Sequence, residues 1–181
     1  SARTIRRGVT VIALGAYALS ILAANWLLLT FGFVPVAPGL NAPAGVYAAG
    51  LTFTLRDLVR EHLGYRWALA AVGAGALLSA FLSPTLALAS GLAFFASEGL
   101  DALVYEPLRR RGWLPAVLAS NAVGLVVDSA LFLWLAFGSL EFLAGQVVGK
   151  TWITILAVGV LWMWRQRRRD HHLPDCQPAA V

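Results

Sequence analysis

Apolar residues fall in six long runs separated by short polar, charged or proline-containing breaks. The first run, residues 8–31, follows Arg3, Arg6 and Arg7 and is longer than the apolar region of a secretory leader, so it is read as a retained helix. Residues 32–43 carry Pro35, Pro38 and Pro43 and no charge, which predicts a short irregular connection. The second run, 44–59, is short for a full span and holds Arg56 and Asp57 near its end, where they lie inside the membrane or snorkel from it. The third, 66–82, is rich in alanine and glycine, and Ser83-Pro84 breaks it from the fourth, 85–106. Pro115, suited to a first helical turn, opens the fifth at 115–137, and the sixth covers 142–164. The expected fold is all-α: a polytopic membrane protein with six transmembrane helices in one domain over 1–164. A basic and then disordered cytoplasmic tail is expected over 165–181.

Orientation follows from the charges. Every Lys and Arg except Lys150 falls at the N-terminus, around the junction of the second and third runs, between the fourth and fifth, or at the C-terminus. The alternate connections carry none, so both termini are expected on the cytoplasmic side of the cell (inner) membrane. Composition agrees: 59% of the 181 residues are hydrophobic, 13% are charged, and the mean hydropathy is +0.73, well to the apolar side of a soluble domain. The net charge of +5 and the pI near 10.1 do not point to nucleic acid, because the basic residues flank apolar segments and serve topology. The expected surroundings are the lipid bilayer. Cys176 is the lone cysteine, which excludes an intrachain disulfide and a thiol redox pair. His171, His172, Asp175 and Cys176 sit in the polar tail and are not read as a metal site, and neither a metal nor a cofactor is expected.

The chemistry lies in polar residues inside the runs. Glu98 and Asp101 are three apart, hence on one helix face, with Phe94 a turn before. Carboxylates at that depth look at protein and by default mark a substrate or ion path. Lys150, inside the sixth run, needs an acid or a ligand. At a rise of about 1.5 Å per residue, Asp128 lies about 20 Å from the cytoplasmic end of the fifth helix and Lys150 about 12 Å in from the start of the sixth. An ion pair between them is therefore expected. Two polar layers result: an outer one of Asn25, Asp128, Gln146 and Lys150, and an inner one of Arg56, Asp57, Glu98, Asp101 and Asn121. Arg56 and Asp57 are candidates for a gate or ion pair. Trp26, Phe94, Phe132 and Trp152 are interleaved with these groups, as a flat heteroaromatic ligand requires. Like charges one turn apart disfavour being charged together, so a coupling proton is placed at Glu98 and Asp101; the alternative is that Arg56 neutralises them as a clamp.

Residues 144–151 satisfy a loose phosphate-loop pattern, but the match runs on into an apolar span with no preceding strand, so nucleotide hydrolysis is rejected. The same residues serve better as a packing face, with Gly145 and Gly149 allowing close approach beside Gln146 and Lys150. No nucleophile and base pair or His-rich set is evident, so no enzyme is expected.

Four blocks in order carry a resemblance: Phe53-Thr-Leu-Arg-Asp57; Ser97-Glu98 with Asp101 and the Glu106-Pro-Leu-Arg-Arg-Arg111 exit; Ser120-Asn121 with Gly124 and Asp128-Ser129; and Gly145-Gln146 with Gly149-Lys150-Thr151. With these the chain resembles the VUT family of vitamin uptake transporters, and within it the queuosine precursor transporters. The resemblance implies a six-helix importer of 7-deazaguanines such as 7-cyano-7-deazaguanine, 7-aminomethyl-7-deazaguanine or queuine, or of a similar small heterocycle. It also implies a fold similar to the substrate-binding subunits of energy-coupling-factor transporters. The substrate contacts expected are Asn25, Trp26, Phe94, Glu98, Asp101, Asn121, Asp128, Gln146 and Lys150. A 7-deazaguanine keeps the N1–H and 2-amino donors of guanine, so Asp128 or Glu98 would meet that edge, Asn121 or Gln146 the carbonyl, and Lys150 or Arg56 would pair with the acids. The alternative function is a substrate-capture subunit of an ATP-driven uptake complex, with an ATPase partner; a homo-oligomer stays equally open.

Overall fold

The structure, a computed structural model, describes the backbone of residues 2–111 and 113–170. Within these it describes the side chains outside 2–10, 57, 61–62, 102, 109, 113–118, 158, 161–162 and 164–170. Among the described residues six helices form: α1 Ala2–Phe31, α2 Val46–Leu63, α3 Tyr65–Ala80, α4 Pro84–Arg109, α5 Trp113–Phe137 and α6 Leu143–Asp170. Local chemistry sets several of the breaks. Ser83 caps α4, its Oγ accepting from the Leu86 amide at 3.3 Å, with Pro84 at the first helical position where no N–H is needed. Gly64, at φ +89°, turns the chain between α2 and α3 in a conformation that strains any other residue.

The connection after α1 is not irregular. Residues Phe33–Ala37 (β1) and Leu40–Pro43 (β2) pair as an antiparallel hairpin, with Phe33 opposite Pro43 and Val34 opposite Ala42, turning at Pro38-Gly39. The prolines hide this in the sequence, yet a two-stranded ribbon consists only of edges, where a missing N–H is tolerated. The second difference is at the C-terminus. Helix α6 continues through the basic stretch to Asp170 rather than ending at 164, consistent with the good helix propensity of arginine and glutamine. The expected tail chemistry at 171–181 lies outside the described residues.

Among the described residues three stretches are long and apolar enough to cross a membrane: Val11–Phe31, Pro84–Leu108 and Ala119–Phe137, with Leu143–Ala157 a shorter apolar helix. The count of six helices stands. However, α3 has only 16 residues and α2 carries charge, so neither qualifies by length and composition alone. Large apolar side chains such as Leu88, Leu103, Trp134 and Leu156 face outward, the surface a lipid environment asks for.

Packing closes the helices into a ring in the order α1, α2, α6, α5, α4, α3. The hairpin lies against α6. Close approach of α2 and α6 depends on two reciprocal glycines: a Cβ at Gly50 would sit 2.6 Å from Ile153, and one at Gly149 would sit 2.8 Å from Val46. On the other side of the ring Tyr17, Ile21, Val59, Ala68, Val72 and Phe94 form the apolar core.

Candidate functional site

The ring encloses a cavity with about 680 Å³ of space between atoms, a figure that includes the open solvent at its mouth. Its walls are mostly apolar, from Ile21, Leu28, Val46 and Val72, with the rings of Phe53, Phe94 and Phe132. Asn25, Thr52, Ser90, Asp128, Gln146 and Lys150 supply the polar surface. These come from α1, α2, α4, α5 and α6, so nearly the whole ring contributes to one site.

Lys150 and Asp128 meet between the neighbouring helices α6 and α5. Lys150 Nζ donates to Asp128 Oδ2 at 2.6 Å and to Ser129 Oγ at 3.0 Å, and the two side chains are 2% and 12% exposed. So little exposure makes removal of either partner costly, because the other charge is left unpaired. Asn25 Nδ2 donates to Ser90 Oγ at 3.3 Å. Gln146, one turn before Lys150 on α6, is 2% exposed, and its Oε1 is buried with no hydrogen-bond partner among the described residues.

The inner layer is built differently. Arg56 Nη1 donates to Glu98 Oε1 at 2.6 Å, and Arg56 Nη2 to Asn121 Oδ1 at 3.3 Å. Arg60 Nη1 stands 3.3 Å from Asp101 Oδ2 and 3.5 Å from Glu98 Oε2. One cluster thereby ties α2 to α4 and α5, and each acid has a cationic partner. This is the clamp arrangement. Phe53 lies between the two layers: Arg56 Cζ is 4.9 Å from its ring centroid and Lys150 Nζ is 5.6 Å from it, both within cation–π range.

The candidate residues therefore separate. Asn25, Phe94, Asp128, Gln146 and Lys150 face the cavity. Glu98, Asp101, Asn121 and Arg56 do not line it, because α4 carries Glu98 and Asp101 one and two turns beyond Phe94, where the arginines occupy the space. Trp26 does not line it either: it is 49% exposed and meets Phe31 edge-on at 6.2 Å. Successive helical residues point about 100° apart, so with Asn25 turned inward its neighbour turns out. The side chain of Asp57 lies outside the described residues. Phe53, Ser90 and Arg60 enter as participants that the sequence reading had not assigned. Spacing on α2 offered a signal for two of them, since Phe53 and Arg60 flank Arg56 by three and four positions on one face.

No curated protein and no solved structure matches the chain. Residues 80–165, the stretch that supplies Glu98, Asp101, Asn121, Asp128, Gln146 and Lys150, match the model of a family described as "Putative vitamin uptake transporter", so over that stretch the chain is similar to a transporter family and not to an enzyme.

Proposed function

We propose that the chain is an importer of queuosine precursors, 7-cyano-7-deazaguanine, 7-aminomethyl-7-deazaguanine or queuine, which it binds in the cavity inside the helix ring. The observation that carries the reading is the composition of that cavity: three aromatic rings as walls, with a carboxylate, two amides and one ammonium at their edge. A flat deazapurine has apolar faces and a rim of donors and acceptors, and such walls and edge groups complement both. The family match over residues 80–165 supports uptake of a small molecule, and the four ordered sequence blocks support the finer choice. In this reading both termini are cytoplasmic and the hairpin end of the ring faces outward, in keeping with the distribution of arginines.

The test is accumulation of labelled 7-cyano-7-deazaguanine or queuine in cells that lack their own import route, with and without this chain. Accumulation above the empty vector, lost in Asp128→Asn, is the expected result. Equal accumulation with and without the chain overturns the proposal.

A further inference from the structure

The charges inside the bundle cancel pair by pair, and that balance decides what charge a ligand can bring. Among the described residues that line the cavity, Lys150 and Asp128 are the charged ones, while Asn25, Thr52, Ser90 and Gln146 supply neutral polar groups. Lys150 Nζ stands 2.6 Å from Asp128 Oδ2, and the two side chains are 2% and 12% exposed. A pair in such close contact presents a dipole to the cavity rather than a net charge, and the opposed attractions largely cancel for any third charge. The described inner layer is balanced in the same way, Glu98 and Asp101 standing 2.6 and 3.3 Å from Arg56 and Arg60. The ring of Phe53 already has Arg56 and Lys150 within cation–π range, so it is no spare site for a further cation.

A charge taken out of water is tolerated where an uncompensated charge of opposite sign receives it. An ammonium on the ligand would reach Asp128 only by displacing Lys150 or crowding beside it, and a carboxylate would do the same at Lys150. Either entry gives the cavity a net charge that no described lining residue balances. We infer that the cavity selects ligands without net charge, the Lys150 and Asp128 pair disfavouring cations and anions alike. The inference rests on the reading of the cavity as the substrate site, and it narrows that reading. Of the three queuosine precursors, 7-cyano-7-deazaguanine carries no charge and is the substrate, whereas 7-aminomethyl-7-deazaguanine and queuine each carry an alkylamine that is protonated at neutral pH.

Two pairs of ligands matched in shape and differing in charge test it, by binding to the purified protein in lipid nanodiscs at neutral pH. The first pair is 7-carboxamido- and 7-carboxy-7-deazaguanine; the second is 7-hydroxymethyl- and 7-aminomethyl-7-deazaguanine. The wild type is expected to bind the uncharged member of each pair at least about tenfold more tightly. Asp128→Asn keeps the shape of the side chain and leaves Lys150 uncompensated, so it is expected to move the first pair about tenfold or more toward the carboxylate. A wild-type preference short of that in either pair, or no binding of its uncharged member, overturns the inference. So does an Asp128→Asn variant whose ratio for the first pair equals that of the wild type; if this variant does not fold, the wild-type comparison decides alone. Where the inference fails but 7-cyano-7-deazaguanine binds, the substrate reading stands. Where that ligand does not bind either, the substrate reading falls with it.

Discussion

The outer and inner layers use the same residue types to different ends. In the inner layer Arg56 and Arg60 pair with Glu98 and Asp101, Asn121 takes a further guanidinium N–H, and the cluster ties three helices together away from the cavity, with Asp101 Oδ1 buried and without a hydrogen-bond partner among the described residues. In the outer layer one ion pair, Lys150 with Asp128, stands beside an unfilled amide acceptor and an open volume. Charge inside a membrane bundle therefore does not by itself mark a site. What separates the clamp from the binding surface is that the outer residues border an open volume, whereas the inner ones are closed in by the arginines. Phe53, with a cation from each layer near its ring, is the boundary between them.

The sharpest way to break the comparison is to remove a partner from the inner layer. Arg56→Ala removes the 2.6 Å partner of Glu98, which is 1% exposed, and leaves it beside Arg60 at 3.5 Å; loss of one partner of a buried pair costs about 3–5 kcal/mol. The expected outcome is a collapse in the yield of monodisperse protein and in its thermal midpoint. Glu98→Gln is expected to follow the same course more mildly. A well-folded Arg56→Ala variant with unimpaired uptake would mean that the inner layer is no clamp.

The outer pair should respond in function before stability. Asp128→Asn and Lys150→Met are each expected to abolish uptake, and each to destabilise by a smaller amount, since the Asp128 side chain is 12% exposed and borders the cavity. The double variant is expected to be more stable than the sum of the single effects by about 0.5–3 kcal/mol. Strict additivity in thermal unfolding would show that the two groups do not act as a pair. Between the layers, Phe53→Leu keeps apolar volume but loses the ring face; it is expected to weaken ligand binding by about tenfold, with a stability loss of about 1 kcal/mol, as cation–π and aromatic contacts of this kind are worth. A change confined to stability would move Phe53 out of the site.

Much of this was legible in the chain, for identifiable reasons. Helix number followed from the apolar runs, and the Lys150 and Asp128 contact followed from equal depth on neighbouring helices, because rise per residue is fixed. The hairpin was not legible, since its prolines signal a break more strongly than Val34 and Val36 signal a strand. The division of the acids was only half legible. Spacing put Glu98 and Asp101 on one face, yet whether they share a proton or meet arginines depended on how deep α2 sits. The structure brings Arg56 and Arg60 to that level. The unfilled oxygen of Gln146 had no sequence signal at all, because it is a property of what the neighbours leave unbonded.

The smallest expected effect concerns Trp26, and it tests whether facing the cavity, rather than being aromatic near a polar layer, is what qualifies a residue. Trp26 follows Asn25 directly, but it is 49% exposed and its ring contact is with Phe31. Phe94, by contrast, is 7% exposed and lines the cavity. Trp26→Leu keeps an apolar surface for lipid and removes only an edge-on contact, so its stability should stay within about 0.5 kcal/mol of the parent, as for surface substitutions generally. Its uptake rate should match the parent when corrected for the amount of protein in the membrane. Phe94→Leu, made in parallel, should lower the apparent affinity, because it takes an aromatic face from the wall. Equal loss of affinity in both variants would place Trp26 in the ligand's path and would mean that the cavity opens further toward the outer end of α1 than its lining residues indicate.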